Sequence, residues 1–460
     1  MRTRPAISWS DLRGRLVGVW GLGVEGRATI RKLADLGVTS VLVDDAPPAA
    51  GVDGRQVDAT ADGGLEALAR CDVVIKTPGI SRYRPEVDVL AFGGTPVVGG
   101  LGLWLAEADR DRVVCITGTK GKSTTTAIAG HLLTGLGRRV MIGGNLGLPP
   151  YDPEAPTDVD HWVIEVSSYQ AADVPVSPPV VAVTSLHPDH LTWHRDDPET
   201  YYADKLSLCS QRGADLTIAN GDSPLLRDRA GLLGPRVEWI TEPTGENDAA
   251  EPAGPADDWT AGLGLLGAHN HRNALIARAC LVALGVDGAR DEAALAAAAE
   301  GFEHLESRLR PVDTVDGVLF VDDSLSTNVL PTLAAVDAFP GRRVAVIVGG
   351  QDRGIDYGPL AAGLAARTAP TLVTITESEA AGRIRVAFDT AAVPDNVAVV
   401  DCVDLGTAVE TGHRWASPDG VVLLSPAAPS FDRFRDYRAR AAAFVDAVAG
   451  LRAASGRDRP

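Results

Sequence analysis

A parallel-sheet α/β structure in three successive units is the fold the sequence predicts. Three observations carry this expectation. Short apolar runs such as "RLVGVW", "RVVCITG" and "RVAVIVGG" recur along the chain and end in glycine turns. Helical patterns such as "RATIRKLADLG" separate them, which is βαβ order. The 460 residues also exceed what one ordinary core organises.

The elements read in order. "RLVGVW" is a strand, "GLGVEG" a tight turn, "RATIRKLADLG" a helix closed by glycine, and "SVLVDD" a second strand. "CDVVIKTPGI" is a third, ending in a Pro-Gly turn. A second α/β unit opens with "RVVCITG" and continues through "HWVIEV" and "VVAVTSL". The acidic, Pro/Gly-rich "TEPTGENDAAEPAGPADDW" reads as a surface loop. "HNHRNALIARACLVALG" has helical period, with Ala274, Ala277, Leu281 and Leu284 on one face and Gly285 as the stop. The third unit begins near Leu309 with the strands "GVLFVDD", "RVAVIVGG", "TLVTIT", "NVAVVD" and "GVVLLS". "AASGRDRP" reads as a disordered tail.

Composition narrows the function classes. Apolar content of 45% and charged content of 23% are those of a soluble globular protein. No apolar run reaches a membrane span, and the first residues lack a secretory apolar region. Five scattered cysteines without a C-x-x-C pair fit a reducing cytoplasm, and the expected localisation is cytoplasmic. A net charge of -18 disfavours a nucleic-acid partner. A small polyanion needs only a few local donors and is not disfavoured.

The stretch "VVCITGTKGKSTTTAIAG" joins a strand, a glycine turn, Gly121-Lys122-Ser123 and a helix. Backbone amides at such a helix start cradle phosphate oxygens. Lys122 would add a cation, and Ser123 or Thr124 a hydroxyl for magnesium. The commonest loop of this kind has a glycine at the position held here by Ile116; Gly118 stands instead. The blander alternative is a glycine turn with surface lysines.

Other signals are weaker alone. Gly21-Leu22-Gly23-Val24-Glu25-Gly26 opens a helix, and Asp44 and Asp45 end the next strand. That arrangement binds a dinucleotide, binds another nucleotide, or simply turns the chain. A nicotinamide oxidoreductase is therefore a rival reading, although no hydride-transfer site is evident. A regulatory nucleotide-binding module without catalysis is another. Glu165 ends a buried strand, as a magnesium ligand or an ordinary strand-end charge. His187, His190 and His194 raise zinc, but Pro188 breaks any helix that would align them. Lys205, fifteen residues past His190, alone reads as a solvated charge.

Together these motifs resemble the Mur ligase family, which builds the peptide stem of peptidoglycan. The carriers are "GTKGKST", "GGNLGLP", "EVSSYQ", "HPDHLTWH", "ADKL", "GAHNHRNALIA", "DDSLSTN" and "LLSPAAPSFDRF", in family order over nearly the whole chain. The family often has asparagine where Lys120 stands. "GLGVEG" followed by "KTPGI" is similar to the members that add glutamate to UDP-N-acetylmuramoyl-L-alanine. Folate polyglutamylation enzymes share the ATP loop but lack this first domain.

The resemblance implies a Rossmann-like UDP-binding domain over 1–107, a central P-loop ATPase-type domain over 108–308, a Rossmann-like amino-acid domain over 309–450, and a tail over 451–460. It implies an ATP-binding set of Gly118, Thr119, Lys120, Gly121, Lys122, Ser123, Thr124, Asn270, Asn273, Arg308 and Asp323. The UDP substrate falls to Gly23, Val24, Glu25, Asp44, Thr77, Asn145 and His190. Ser123 and Glu165 would hold one magnesium, and His190 and a carbamylated Lys205 a second, making Lys122, His190 and Lys205 the catalytic set. Glutamate would meet Thr327, Arg353, Ser430, Phe431 and Tyr437. The segment from Ser430 also reads as a helix capped by Ser430, with Phe431, Phe434 and Tyr437 in the core. A monomer is implied, with no membrane partner.

One departure concerns the enantiomer. D-glutamate-adding members usually read D-S-K-A-T-N where this chain has Asp323-Ser324-Leu325-Ser326-Thr327-Asn328, and Arg353 stands where they usually carry a lysine. Losing one cation and replacing the other by a planar fork changes how two carboxylates are gripped. The expected substrate is therefore L-glutamate, with a separate epimerase acting later; D-glutamate is the competing reading.

Overall fold

The computed structural model describes residues 4–48, 51–242, 259–391 and 393–455, which carry three sheets. The first has five parallel strands in the order β3-β2-β1-β4-β5: β1 (Val17–Trp20), β2 (Ser40–Asp44), β3 (Asp58–Ala59), β4 (Val73–Lys76) and β5 (Val97–Gly99). The second has six parallel strands in the order β11-β10-β9-β6-β8-β7. These are β6 (Val113–Thr117), β7 (Val140–Gly144), β8 (His161–Glu165), β9 (Val180–Val183), β10 (Leu216–Asn220) and β11 (Val237–Ile240). The central strands β6 and β9 are buried along their whole length, as continuous Val/Ile-rich runs must be when helices cover both faces.

The third sheet runs β12-β13-β17-β14-β15-β16. Its strands are β12 (Arg310–Val315), β13 (Val318–Asp322), β14 (Val344–Val348), β15 (Thr371–Thr376), β16 (Val397–Cys402) and β17 (Val421–Leu424). All neighbours are parallel except β12 and β13, which form a hairpin. Asp316 and Gly317 make its two-residue turn, both at positive φ, the geometry that matches strand twist. Val344, Val346 and Val348 face one apolar cluster and Ala345 and Ile347 the opposite one, so both faces of the sheet are packed.

The chain divides into two compact units, Met1–Gly264 with Arg272–Phe302, and Leu265–His271 with Glu303–Pro460. The first unit contains two sheets because one core runs through both: Val19 and Val73 belong to the same buried cluster as Val113 and Ile164. The helix predicted around Ala274 spans Ala268–Ala283, with Ala274, Ala277 and Leu281 fully buried. Leu284 falls just past its end. The acidic loop lies almost entirely outside the described residues. The last helix, Tyr437–Ser455, continues into what the sequence suggested was tail, and 456–460 lie outside the described residues.

Candidate active site

Parallel strands end on one edge of a sheet, and the order β9-β6-β8-β7 collects four loops there. β6 delivers the glycine loop, β8 delivers Glu165, β7 delivers Asn145, and β9 leads to His187 and His190.

The glycine loop turns at two positions that need glycine. Gly118 has φ +138° and Gly121 φ +90°. A Cβ at Gly118 would come within 2.2 Å of Thr184 Oγ1, and one at Gly121 within 2.7 Å of Asn273 Oδ1. Gly121 starts the helix Lys122–Gly135, whose first amides have no intrahelical partner by construction. Thr119 is pinned beneath the loop: its hydroxyl lies 3.0 Å from the His187 carbonyl and 2.8 Å from the Tyr201 hydroxyl. Lys120 reaches Asp189 at 3.5 Å, and Lys122 Nζ donates to the Thr119 carbonyl at 3.2 Å. Ser123 is buried and Thr124 half-buried on the first turn.

Glu165 is 1% exposed. Its Oε1 accepts from Asn145 Nδ2 at 2.7 Å, and its Oε2 is buried with no hydrogen-bond partner among the described residues. A buried carboxylate oxygen in that state is costly unless a cation or donor arrives. Lys205, on the helix Pro198–Leu206, is 2% exposed, and its Nζ donates to the Gly118 carbonyl at 2.9 Å. Burial, then repulsion from Lys122, pushes its pKa well below the ordinary lysine value. The solvated-charge reading of Lys205 is therefore overturned. His190 sits in the left-handed region at φ +51° with its side chain 60% exposed. His194 is fully buried between Asp204 (2.8 Å) and Ser168 (3.1 Å), so it belongs to a different network. No group of three or more His, Cys, Asp or Glu suited to a metal exists among the described residues.

At the first sheet, Gly23 caps the helix Val24–Asp35 and Val24 is 71% exposed beside it. Asp44 organises the turn itself, accepting from the Leu22 amide at 2.7 Å and the Ala46 amide at 2.9 Å. Thr77 follows β4, its amide bonded to the Trp20 carbonyl. Glu25 turns toward the second sheet, accepting from Gln170 Nε2 at 2.7 Å and Tyr151 OH at 3.2 Å. Burial raises its pKa to about 7 against those two hydrogen bonds.

In the second unit, Asp323 is buried with hydrogen bonds from Ser326, Ser425 and the Leu309 amide, and burial raises its pKa to about 7. Asn270 and half-buried Arg308 belong to the same unit; Asn270 donates to the Leu266 carbonyl at 3.0 Å. Thr327 lies half-buried after β13. The Arg353 guanidinium lies 5.7 Å from the Phe431 ring centroid, so two expected glutamate residues are neighbours. The alternative reading of this segment fails. The helix begins at Tyr437 rather than after Ser430, and Phe431 is 58% exposed instead of in the core. Asp436, whose carboxylate accepts from the Ala439 amide, takes the capping place. Ser430 itself is buried and Tyr437 half-buried.

Residues 116–281 match the Mur ligase middle domain, and residues 307–428 match the Mur ligase, glutamate ligase domain. A Micromonospora species has a relative 40% identical over 457 residues, 95% of this chain and 97% of that one. It is named UDP-N-acetylmuramoyl-L-alanine–L-glutamate ligase. The chain belongs to the Mur ligase family. Relatives of the same name in Salinispora tropica (40% identical; 95% of this chain, 98% of that one) and Xanthomonas euvesicatoria (39%; 95% of each) agree with that placement. The fold agrees as well. The UDP-N-acetylmuramate–alanine ligase MurC of Thermotoga maritima superposes with a TM-score of 0.55 at 18% identity, over 95% of this chain and 99% of that one.

Several polar contacts in this Mur ligase escaped the sequence reading. Tyr201 supports the phosphate loop, while Gln170 and Tyr151 hold Glu25. Lys76 at the end of β4 forms a buried ion pair with Asp173. Tyr201 lies four residues from Lys205, one helical turn away, and that spacing was the available signal. The other contacts join segments roughly a hundred residues apart and left no local trace.

Proposed function

We propose that this chain joins L-glutamate to the carboxylate of UDP-N-acetylmuramoyl-L-alanine, with cleavage of ATP to ADP and phosphate, in peptidoglycan precursor synthesis. The observation that carries this reading is the phosphate loop, with buried Lys205 on its carbonyl side and the unpartnered Glu165 Oε2 at the neighbouring strand end. The names of the relatives supply the substrate class.

The chemistry follows from what these groups can do. Loop amides and Lys122 position the triphosphate, and the substrate carboxylate attacks the γ-phosphorus in line while the bond to the bridging oxygen breaks. The glutamate amine then adds to the acyl phosphate, loses a proton, and phosphate leaves. Asn270, Asn273, Arg308 and Asp323 serve the nucleotide; Gly23, Val24, Glu25, Asp44, Thr77 and Asn145 serve the UDP substrate. A buried carboxylate oxygen without a donor suits a magnesium ion, and Ser123 and Glu165 would hold it. His190 and a carbamylated Lys205 would hold a second. Magnesium, when bound, neutralises charge on the phosphates and on the attacking carboxylate. Burial favours the neutral amine of Lys205, the form that reacts with carbon dioxide: an N–C bond forms and a proton leaves. Enclosing the acyl phosphate away from water protects it from hydrolysis.

Leu325 and Arg353 favour the L enantiomer, gripped by Thr327, Arg353, Ser430, Phe431 and Tyr437. A separate epimerase then inverts the added residue. No helix among the described residues is long and apolar enough to cross a membrane. A UDP-linked substrate and ATP fit a cytoplasmic enzyme, and the proposal is that it acts there as a monomer. The test is phosphate release with UDP-N-acetylmuramoyl-L-alanine, ATP and each pure glutamate enantiomer. Release with L-glutamate alone supports the reading; strong preference for D-glutamate, or brisk release without either amino acid, overturns it.

A further inference from the structure

A cavity of about 490 Å³ opens in the first unit, lined by the N-terminal segment, the loop after β4 and the helix Pro198–Leu206. Three arginines line it, Arg4, Arg82 and Arg195, in a chain whose net charge is -18. Asp204 is the single acid among its described lining residues. That carboxylate is already engaged, accepting the Tyr83 hydroxyl at 2.9 Å and facing His194 Nδ1 at 2.8 Å.

Two of these arginines have neutral groups as contacts. Arg4 donates to the Val174 carbonyl and the Ser207 hydroxyl, both at 3.1 Å. Arg195 lies 4.4 Å above the Tyr83 ring centroid. Burial, then the neighbouring Arg82, lowers the pKa of Arg4 against the opposing attraction of Asp173 and Asp204, so like charges share a partly desolvated space. An anion entering there would relieve that repulsion and gain charge-assisted hydrogen bonds from planar forks suited to phosphate oxygens. The volume is within the range of small-molecule sites. On the same helix, Lys205 instead donates to Gly118, so the cavity is built from different side chains than the phosphate loop.

We propose that this arginine-lined cavity binds a phosphoryl dianion, either free phosphate or the phosphoryl group of a small metabolite, as a site separate from the phosphate loop. The proposal does not depend on the reaction assigned above.

Isothermal titration at constant ionic strength, balanced with chloride, tests it. The Lys122→Ala protein, whose loop is disabled, is titrated with inorganic phosphate and with glycerol 3-phosphate. Saturable binding of either is expected, weakened at least tenfold by adding Arg195→Gln and likewise by adding Arg82→Gln. Tighter binding of glycerol 3-phosphate would assign the site to a phosphorylated metabolite; equal or weaker binding would assign it to free phosphate. Arg195 is exposed, so its variant keeps the fold and decides the matter if Arg82→Gln unfolds. Absence of saturable binding in the Lys122→Ala protein, or binding unmoved by Arg195→Gln, overturns the proposal.

Discussion

Replacing Asp173 by alanine strands a buried cation. Lys76, at the end of β4, is 1% exposed at its side chain, and its ion-pair partner Asp173 on the helix Ser168–Asp173 is 10% exposed. Breaking a buried pair by removing one partner costs about 3–5 kcal/mol, because the remaining charge stays out of water. One feature of the site bounds that figure. The Trp193 ring lies 5.5 Å from Lys76 Nζ and keeps about 1–2 kcal/mol of cation–π attraction after the carboxylate is gone. The expected loss for Asp173→Ala is therefore about 3 kcal/mol at pH 7. Urea denaturation followed by circular dichroism measures it. The double variant Lys76→Met with Asp173→Asn, which removes both charges, should lie within about 1.5 kcal/mol of the parent. A loss under about 1 kcal/mol at pH 7 would refute the reasoning.

Lys205→Ala should lower turnover by about 100-fold or more, the usual scale for losing one charge-stabilising contact in the transition state, with partial rescue by short-chain carboxylic acids; wild-type-like turnover would leave Lys205 a structural side chain. Gly121→Ala forces a left-handed backbone and a Cβ within 2.7 Å of Asn273 Oδ1, so the apparent Michaelis constant for ATP should rise at least tenfold while the melting temperature falls by only a few degrees. Asp323 has a folded pKa raised to about 7, so the folded state holds its proton where the unfolded chain has lost it. Its contribution is present below the unfolded value of about 3.9 and disappears as pH rises to 7, an order of about 4 kcal/mol from the second unit; Asp323→Asn should flatten that slope in denaturation curves at pH 4, 5.5 and 7.

The sequence by itself determined the local chemistry. Strand, glycine turn and Gly121-Lys122-Ser123 specify a phosphate-type loop because the backbone dihedrals that expose its amides are available chiefly to glycine, and the positive φ values at Gly118 and Gly121 follow from that. Buried Val/Ile runs at β6, β9, β14 and β17 announced parallel sheets for a similarly local reason. Three things were decided only by tertiary structure. Lys205 could be a surface charge or a buried amine; packing against Gly118 and Tyr201 made it the latter. Phe431 could be a ligand contact or a core residue; the helix starting at Tyr437 left it exposed, beside Arg353. The first two sheets, separable by composition, became one unit because their apolar faces share a core and because Glu25, Lys76 and Tyr83 found polar partners on the second sheet's elements. Desolvation and pairing depend on which distant segments meet, and apolar periodicity carries no record of a partner roughly a hundred residues away.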